Sequence, residues 1–200
     1  EDARQASVYG FVVGATTNPA LMAKAGHKDT RQSLAKLCDL LPGPVFHQLL
    51  AHDVDGMRKE AESLLDLAPN LGLKIMCTLE GLTFAAEIGT RAVVAVTGVF
   101  TPAQAYLSAQ AEADFVIPYV NRLTRYAGAG AHVISDMIGV LELSDTEILA
   151  AGIKSAAEAV ETLLAGAENV SLPLPVIQEM AESELTLQAL QAFDAVQSKS

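Results

Sequence analysis

Short apolar runs rich in β-branched residues recur along the chain and are separated by stretches of helical length. These runs predict seven strands, at residues 11–13, 45–50, 73–78, 93–100, 115–120, 147–153 and 169–174. Between them, apolar positions recur with helical spacing in residues 53–67 and 155–165. Strands that alternate with helices in this way indicate a parallel sheet.

The strand runs are apolar nearly throughout, which indicates a sheet that is covered on both faces. Their regular alternation with helices favours closure into a TIM-type β/α barrel, formed by residues 1–200 as a single domain. An open doubly wound sheet is the alternative, but no G-x-G-x-x-G or G-x-x-x-x-G-K-[ST] phosphate loop follows any run. A helical extension is expected at residues 184–197.

Composition and charge restrict the classes of function. Half of the 200 residues are hydrophobic, and the formal net charge is -11. Such an acidic chain has no broad basic face for nucleic acid or an anionic membrane, so a few local cations have to hold any anionic substrate. No apolar run reaches eighteen residues, and the first residues do not resemble a signal peptide, which predicts a soluble protein.

The cysteines and histidines give no sign of a disulfide framework or a metal centre. Cys38 and Cys77 lie in separate predicted elements, so a reducing, cytoplasmic location is expected. The four histidines are expected to lie in loops or beside strands, with no H-x-x-H spacing and no carboxylate pairing. They are His27, His47, His52 and His132. We therefore expect no metal site.

The active site of a barrel of this type forms where the strands end, so polar residues late in each run are the candidates. Lys74 is the most informative, because desolvation inside a strand lowers the pKa of an amine towards values at which it can attack a carbonyl. The alternative is a lysine that reaches water or pairs with Glu80. The other candidates are Thr16, Thr17, Asn18, Gln48, Thr97, Tyr119, Asn121, Arg122 and Lys154.

Several of these candidates also have simple structural interpretations. Residues 16–18 follow a strand and precede a helix, so they can serve as turn and capping groups. Tyr119 can transfer protons and Arg122 can bind a phosphate with two hydrogen bonds, yet a tyrosine near an arginine is also a common structural pair. Gln48 needs a partner if it is buried, and a ligand, water or backbone group would serve.

Several short motifs match one known family in their order and spacing. They are GATTNP at 14–19, LKI at 73–75, TLEGL at 78–82, TPAQ at 101–104, PYVNR at 118–122, LLAG at 163–166 and LPL at 172–174. Each motif alone is weak, but their shared order is specific. Along nearly its whole length the chain resembles the transaldolase family, and within it the fructose-6-phosphate aldolase branch.

The resemblance implies a class I, Schiff-base-forming enzyme that needs no metal or organic cofactor. Lys74 aligns with the Schiff-base lysine, Thr97 with the active-site threonine and Asn18 with the asparagine that contacts the sugar. Gln48 and Tyr119 match the aldolase branch, whereas transaldolases proper usually carry Glu and Phe there. This favours aldol cleavage and synthesis of a ketose phosphate, such as fructose 6-phosphate, over group transfer.

The chain departs from the aldolase pattern in two places. Gly152 stands where that branch carries a serine near the substrate phosphate, which leaves Arg122, with Lys154, to hold the phosphate and Asn121 to line the substrate site. Family members also begin with a strand ending in Leu-Asp-Thr, whose Asp transfers protons, whereas this sequence starts after it. An eighth strand is therefore expected before Glu1, and a slot between the first and last strands of this chain.

The sequence is also compatible with two other functions. A transaldolase would transfer a dihydroxyacetone unit between sugar phosphates, and a catalytically silent barrel would only bind a sugar phosphate. By the same resemblance, the C-terminal helix is expected to pack on a neighbouring subunit of a homo-oligomer.

Overall fold

The computed structural model describes residues 1–24, 26, 29–128 and 130–197. The strands are β1 (Ala15–Thr16), β2 (Val45–Gln48), β3 (Leu71–Met76), β4 (Val94–Val99), β5 (Phe115–Pro118), β6 (Glu147–Ala150) and β7 (Asn169–Val170). The helices are α1 (Asp2–Ser7), α2 (Pro19–Lys24), α3 (Thr30–Leu40), α4 (Val54–Glu62), α5 (Leu79–Ile88), α6 (Pro102–Gln110), α7 (Val120–Ala127), α8 (Gly130–Leu141), α9 (Ala156–Leu164), α10 (Leu174–Ala181) and α11 (Glu184–Gln197). Strands and helices therefore alternate as the sequence predicts.

The strands form one curled parallel sheet in which each strand pairs with its neighbour in the chain, from β1 to β7. A doubly wound sheet would reverse its strand order at a switch point, and this sheet does not. The TIM-type β/α architecture is thereby confirmed. Within the sheet, Lys74 is in register with Gln48 on one side and Ala95 on the other.

The two edges of the sheet, β1 and β7, are not joined by strand pairing in the described part of the chain. Their carboxyl ends are linked instead through side chains, with Thr16 Oγ1 2.9 Å from Ser171 Oγ. The seven strands therefore curl into a barrel that lacks one strand, as expected, and the gap lies between β1 and β7.

The barrel interior is filled by a small cluster that is separate from the larger core beneath the helices. Phe46, Ala95 and Ile117 are buried there, and the Phe46 ring packs edge to face on Phe115 at 5.5 Å between centroids. A Cβ at Gly72 would lie 2.6 Å from the Phe46 ring, so a glycine is needed where this ring fills the barrel. Apolar residues on both faces of the strands thus serve two different cores.

The predicted strand at residues 11–13 is wrong. The strand begins at Ala15, where pairing with β2 begins. Ahead of it, the Val13 carbonyl accepts a hydrogen bond from the Gly43 N–H at 2.7 Å, just before Pro44, which has no N–H to donate. Phe11 and Val13 are exposed, while Val12 packs against the core. The runs at 147–153 and 169–174 are also longer than β6 and β7, because their last residues leave the sheet to form loops at the barrel mouth.

Helix starts follow a repeated pattern after the strands. Asp53, Thr78, Thr101 and Ser155 each accept a hydrogen bond from the backbone N–H three residues later, and they cap α4, α5, α6 and α9. The helical extension at 184–197 is present as α11, and none of its residues is buried. Across the described residues, no helix is both long and apolar enough to cross a membrane.

Candidate active site

Lys74 lies in the middle of β3 and is buried, with 4% of its surface exposed. Burial lowers the pKa of its amine to about 8, from an ordinary value of 10.5. No carboxylate of the described residues lies within ion-pair distance of it, so the pairing with Glu80 is not formed. The amine therefore loses its proton much closer to neutral pH than an exposed lysine would, and its neutral form can act as a nucleophile.

Thr97 on β4 and Tyr119, directly after β5, form a hydrogen-bonded pair. The fully buried Thr97 donates from Oγ1 to the Tyr119 hydroxyl at 2.9 Å. Directly after Thr97, the register of β4 shifts at Gly98, whose φ of +74° favours glycine. The Tyr119 ring packs edge-on against Phe100. The phenol is thus held in place at the carboxyl end of the sheet, where a proton can be transferred.

Gln48 ends β2 and is in register with Lys74, so the two side chains lie on the same face of the sheet. Its amide Nε2 donates to the sulfur of Met76 at 3.6 Å. The sequence predicted that a buried Gln48 would need a partner and suggested a ligand, a water or a backbone group. The partner is instead the side chain of Met76. The thioether is a weak acceptor, which leaves the rest of the amide available to other groups.

Arg122 lies in the first turn of α7, beside the Tyr119–Thr97 pair. Its guanidinium carbon is 5.3 Å from the centroid of the Tyr119 ring and 5.8 Å from that of Phe100. The proximity of Tyr and Arg is therefore real, but it is a ring-stacking contact rather than a hydrogen bond. Neither Arg122 nor Lys154 forms an ion pair within the described ranges, so both cations are available to an anion.

Glu158 connects two of the predicted substrate-binding residues. Its carboxylate accepts one hydrogen bond from the Asn121 amide at 3.2 Å and another from the Lys154 backbone N–H at 2.7 Å. The Asn121 side chain thus holds the loop after β6 against α7, and its contact with substrate stays a prediction. Gly152, in the same loop, is exposed and has a φ of +73°, which a serine would adopt only under strain.

Residues 16–18 make the structural contacts that the sequence also suggested. The Asn18 side chain accepts from the Leu21 N–H at 2.8 Å and so caps α2, while Thr17 Oγ1 donates to the Phe46 carbonyl at 3.1 Å. Thr16 reaches across to Ser171. Substrate contacts of Thr16 and Asn18 remain predictions.

Residues missed in the sequence complete the wall of the site. Ser171 is the polar residue late in the last apolar run, so the rule applied to the other strands could have found it. Met76 and Glu158 gave no signal, because an apolar residue in a strand and an acidic residue on a helix are both ordinary. Their importance depends on contacts with residues far away in the chain.

The histidines differ from the sequence-based interpretation in their partners. His47 is buried in β2, with Nε2 3.9 Å from a Glu60 carboxylate oxygen, and its pKa is lowered, chiefly by burial. His132 lies at the same distance from Asp136. His27 lies outside the described residues. In the part of the chain that the structure describes, no group of three or more His, Cys, Asp or Glu side chains is arranged to hold a metal ion.

A comparison with solved structures finds the same type of fold. A solved structure of inosine 5'-monophosphate dehydrogenase from Legionella pneumophila superposes with a TM-score of 0.57 at 19% identity, over 83% of this chain and 58% of that one. At this identity the likeness shows the fold alone.

Sequence relatives carry the comparison further. A probable transaldolase of Caulobacter vibrioides is 35% identical, and one of Phenylobacterium zucineum is 36% identical, each over 92% of this chain and 86% of the relative. The family model described as transaldolase/fructose-6-phosphate aldolase matches residues 2–200. The resemblance seen in the motifs is thereby confirmed, and the chain belongs to the transaldolase/fructose-6-phosphate aldolase family of Schiff-base enzymes.

Proposed function

We propose that the chain is a class I aldolase that forms or cleaves a carbon–carbon bond in a ketose phosphate such as fructose 6-phosphate. The observation that carries the proposal is the buried Lys74 amine, whose pKa is lowered to about 8, in register with Gln48 and next to the strand that bears Thr97. Membership of the family supports the assignment of this lysine as the covalent nucleophile.

In the cleavage direction, the neutral Lys74 amine attacks the ketone carbon and forms a carbinolamine, which loses water to give an iminium ion. The bond from the neighbouring carbon to the next, hydroxyl-bearing carbon then breaks. Its electron pair moves towards the iminium nitrogen to form an enamine, and the hydroxyl proton leaves as the aldehyde forms. Protonation of the enamine carbon and hydrolysis of the iminium release the ketone and restore the lysine.

Tyr119 would move these protons, together with a water molecule positioned by Gln48 and Thr97. The Thr97 hydroxyl donates to the Tyr119 oxygen, so the phenol proton itself points elsewhere and is available for donation. General acid–base catalysis of this kind contributes typically about 10²–10⁴-fold to the rate.

Arg122 would hold the phosphate, with Lys154 as a second cation from the loop after β6. Both are free of ion pairs in the described residues, and stacking on Tyr119 and Phe100 limits the directions that the guanidinium can take. Thr16, Asn18, Asn121 and the backbone of Gly152 would surround the remaining hydroxyl groups of the sugar.

Reductive trapping tests the covalent step. Borohydride in the presence of dihydroxyacetone should add one reduced substrate fragment, which peptide mapping should locate at Lys74, and Lys74→Met should abolish the addition. A chain that gains no mass, under conditions that trap another class I aldolase, would overturn the covalent mechanism and favour a silent, sugar-phosphate-binding barrel.

Reaction type requires a separate comparison. Because Gln48 and Tyr119 match the aldolase branch, free aldol cleavage should exceed transfer between sugar phosphates. The double variant Gln48→Glu, Tyr119→Phe should shift the ratio of the two rates towards transfer. An unchanged ratio would show that these two residues do not set the reaction type.

Location and assembly are also part of the proposal. The unpaired state of Cys38 and Cys77 supports a reducing, cytoplasmic compartment. The second copy of a homo-oligomer is the partner that best fits α11, because its Leu187, Leu190 and Phe193 side chains are exposed at a spacing of three residues.

A further inference from the structure

Met76 is the last residue of β3 and stands two positions beyond Lys74 in the same strand. Since side chains two apart in a strand point to the same face, Met76 lies on the interior side, directly towards the barrel mouth from the lysine. It is in register with Thr97 on β4, and 38% of its surface is exposed. The thioether is therefore the part of β3 that a substrate on its way to Lys74 meets first.

The Met76 side chain reaches both neighbouring strands. Its sulfur accepts the Gln48 amide from β2 at 3.6 Å. Its terminal methyl lies so close to Gly98 of β4 that a Cβ there would be 2.8 Å away. The methionine thus spans the carboxyl end of β3, and the missing side chain at Gly98 provides the space for it.

A cavity of about 290 Å³ adjoins this side chain. It is lined by Met76 at the end of β3, and by residues from the loops after β2 and β3 and from the helices that follow: Ala51, His52, Met57, Thr78 and Glu80. Met76 is the member of this lining that also contacts Gln48. Its side chain thus contacts both this cavity and the Gln48 amide in the site around Lys74.

We propose that Met76 determines the size of the ketone that reacts at Lys74 and positions the Gln48 amide. This inference rests on the proposed function and deepens it. With methionine in place, the substituent of the ketone that does not take part in the new carbon–carbon bond is confined to the short space between Lys74 and the Met76 thioether. A smaller side chain would join the adjoining cavity to the site, so a ketone with a longer arm would fit. The thioether would also keep water away from the lysine amine.

Two donor ketones that differ by one methylene test the size limit. The ratio of kcat/KM for 1-hydroxy-2-butanone to that for hydroxyacetone should increase about tenfold or more in Met76→Ala, because one methylene in a confined apolar site changes selectivity by about 10–200-fold. Met76→Leu, which conserves volume, should keep the wild-type ratio. Met180→Ala on α10 is the matched control, since Met180 is 40% exposed and lies outside the site. The same ratio in all four proteins would overturn the size limit.

The pH dependence of trapping tests the positioning role, and it remains informative if Met76→Ala folds poorly. Met76→Gln keeps the length of the side chain but brings a polar group and water, so the midpoint of the trapping rate should move to higher pH. Met76→Leu should leave the midpoint near that of the wild type. Among the described residues, His47 on β2 interacts electrostatically with Lys74, and burial lowers the pKa of His47, so this imidazole stays uncharged over the range of the experiment.

Equal midpoints for Met76→Gln and Met76→Leu would show that the thioether does not shield the amine. Trapping of the wild-type chain at Lys74 is the reference for both experiments. If the wild type is trapped but neither the ratio nor the midpoint responds, only the role of Met76 is refuted. If the wild type is not trapped, the covalent function itself fails.

Discussion

Lys74 places an ionisable amine among apolar neighbours, and this burial has a free-energy cost at neutral pH. The unfolded chain binds a proton at this lysine up to pH 10.5, whereas the folded chain releases it near pH 8. Between these values the unfolded state holds more protons, so this lysine makes the free energy of unfolding rise with pH. The difference corresponds to about 3 kcal/mol of lost stability below pH 8.

Replacing this lysine should therefore stabilise the protein while removing its activity. Lys74→Met should increase the free energy of unfolding by about 2–3 kcal/mol at pH 7, because a buried charge is replaced by an apolar side chain of similar length. Urea denaturation at pH 7 and pH 9.5 measures the effect, which should be less than half as large at pH 9.5. A gain that is the same at both pH values would show that burial does not lower the pKa of this lysine.

Substitution of Arg122 tests whether this single side chain recognises the phosphate. Loss of a charge-assisted hydrogen bond costs about 1.5–3 kcal/mol, so Arg122→Ala should raise KM for a phosphorylated acceptor aldehyde by about 10–150-fold. The KM for unphosphorylated glycolaldehyde should hardly change. Arg122→Lys, which keeps the charge but not the planar pair of donors, should have an intermediate effect. Equal increases for both aldehydes would point instead to disturbance of the stacked Tyr119 ring.

At the scale of elements, side chains from the following helices hold the loops after β2 and β6 by hydrogen bonds. Glu158 on α9 accepts the Lys154 backbone N–H and the Asn121 amide, which joins the loop after β6 to α7. Glu60 on α4 does the same after β2, where it accepts the N–H groups of Leu50 and Ala51. Helices in this fold therefore shape the mouth of the barrel as well as covering the sheet.

Removal of the Glu158 carboxylate should affect both stability and phosphate binding. Glu158→Ala leaves two donors without their partner, which costs about 1–3 kcal/mol and frees the loop that carries Lys154. We expect a lower midpoint of thermal unfolding and a several-fold higher KM for the phosphorylated aldehyde. Thr101→Ala, which removes the N-cap of α6, should cost about 1 kcal/mol with no change in KM. If both variants raised KM equally, general loss of stability would explain the effect.

At the scale of the whole molecule, α11 stands apart from the barrel, since no residue along its length is buried. Its exposed apolar side chains would be unfavourable in water, and a second copy of the chain would cover them. Phe193→Glu should therefore reduce the mass measured by light scattering to that of one chain, 21.0 kDa. Gln191→Glu adds the same charge at a polar position of α11 and should leave the assembly intact. A wild-type chain that is already monomeric would refute this role of α11.

The architecture was predictable because it depends on patterns that are local in the sequence. Runs that are apolar on both faces, such as residues 93–100, can be stable only between two buried layers, and helices of matching length separate them. The error at residues 11–13 arose because an apolar run forms a strand only where a partner pairs with it residue by residue, and that pairing with β2 begins at Ala15. Strand pairing is a tertiary property, so composition could not reveal this.

The sequence by itself indicated the parallel β/α class, the position of Lys74 within a strand and the set of polar residues at the strand ends. Tertiary structure decided which of them meet. Thr97 touches Tyr119, Gln48 touches the unsuspected Met76, and Thr16 reaches Ser171 across 155 positions of the chain. These contacts follow from the register and curl of the sheet, which bring together residues from distant segments. Local propensity cannot specify them, because each side chain makes an equally ordinary strand or loop residue before the sheet forms.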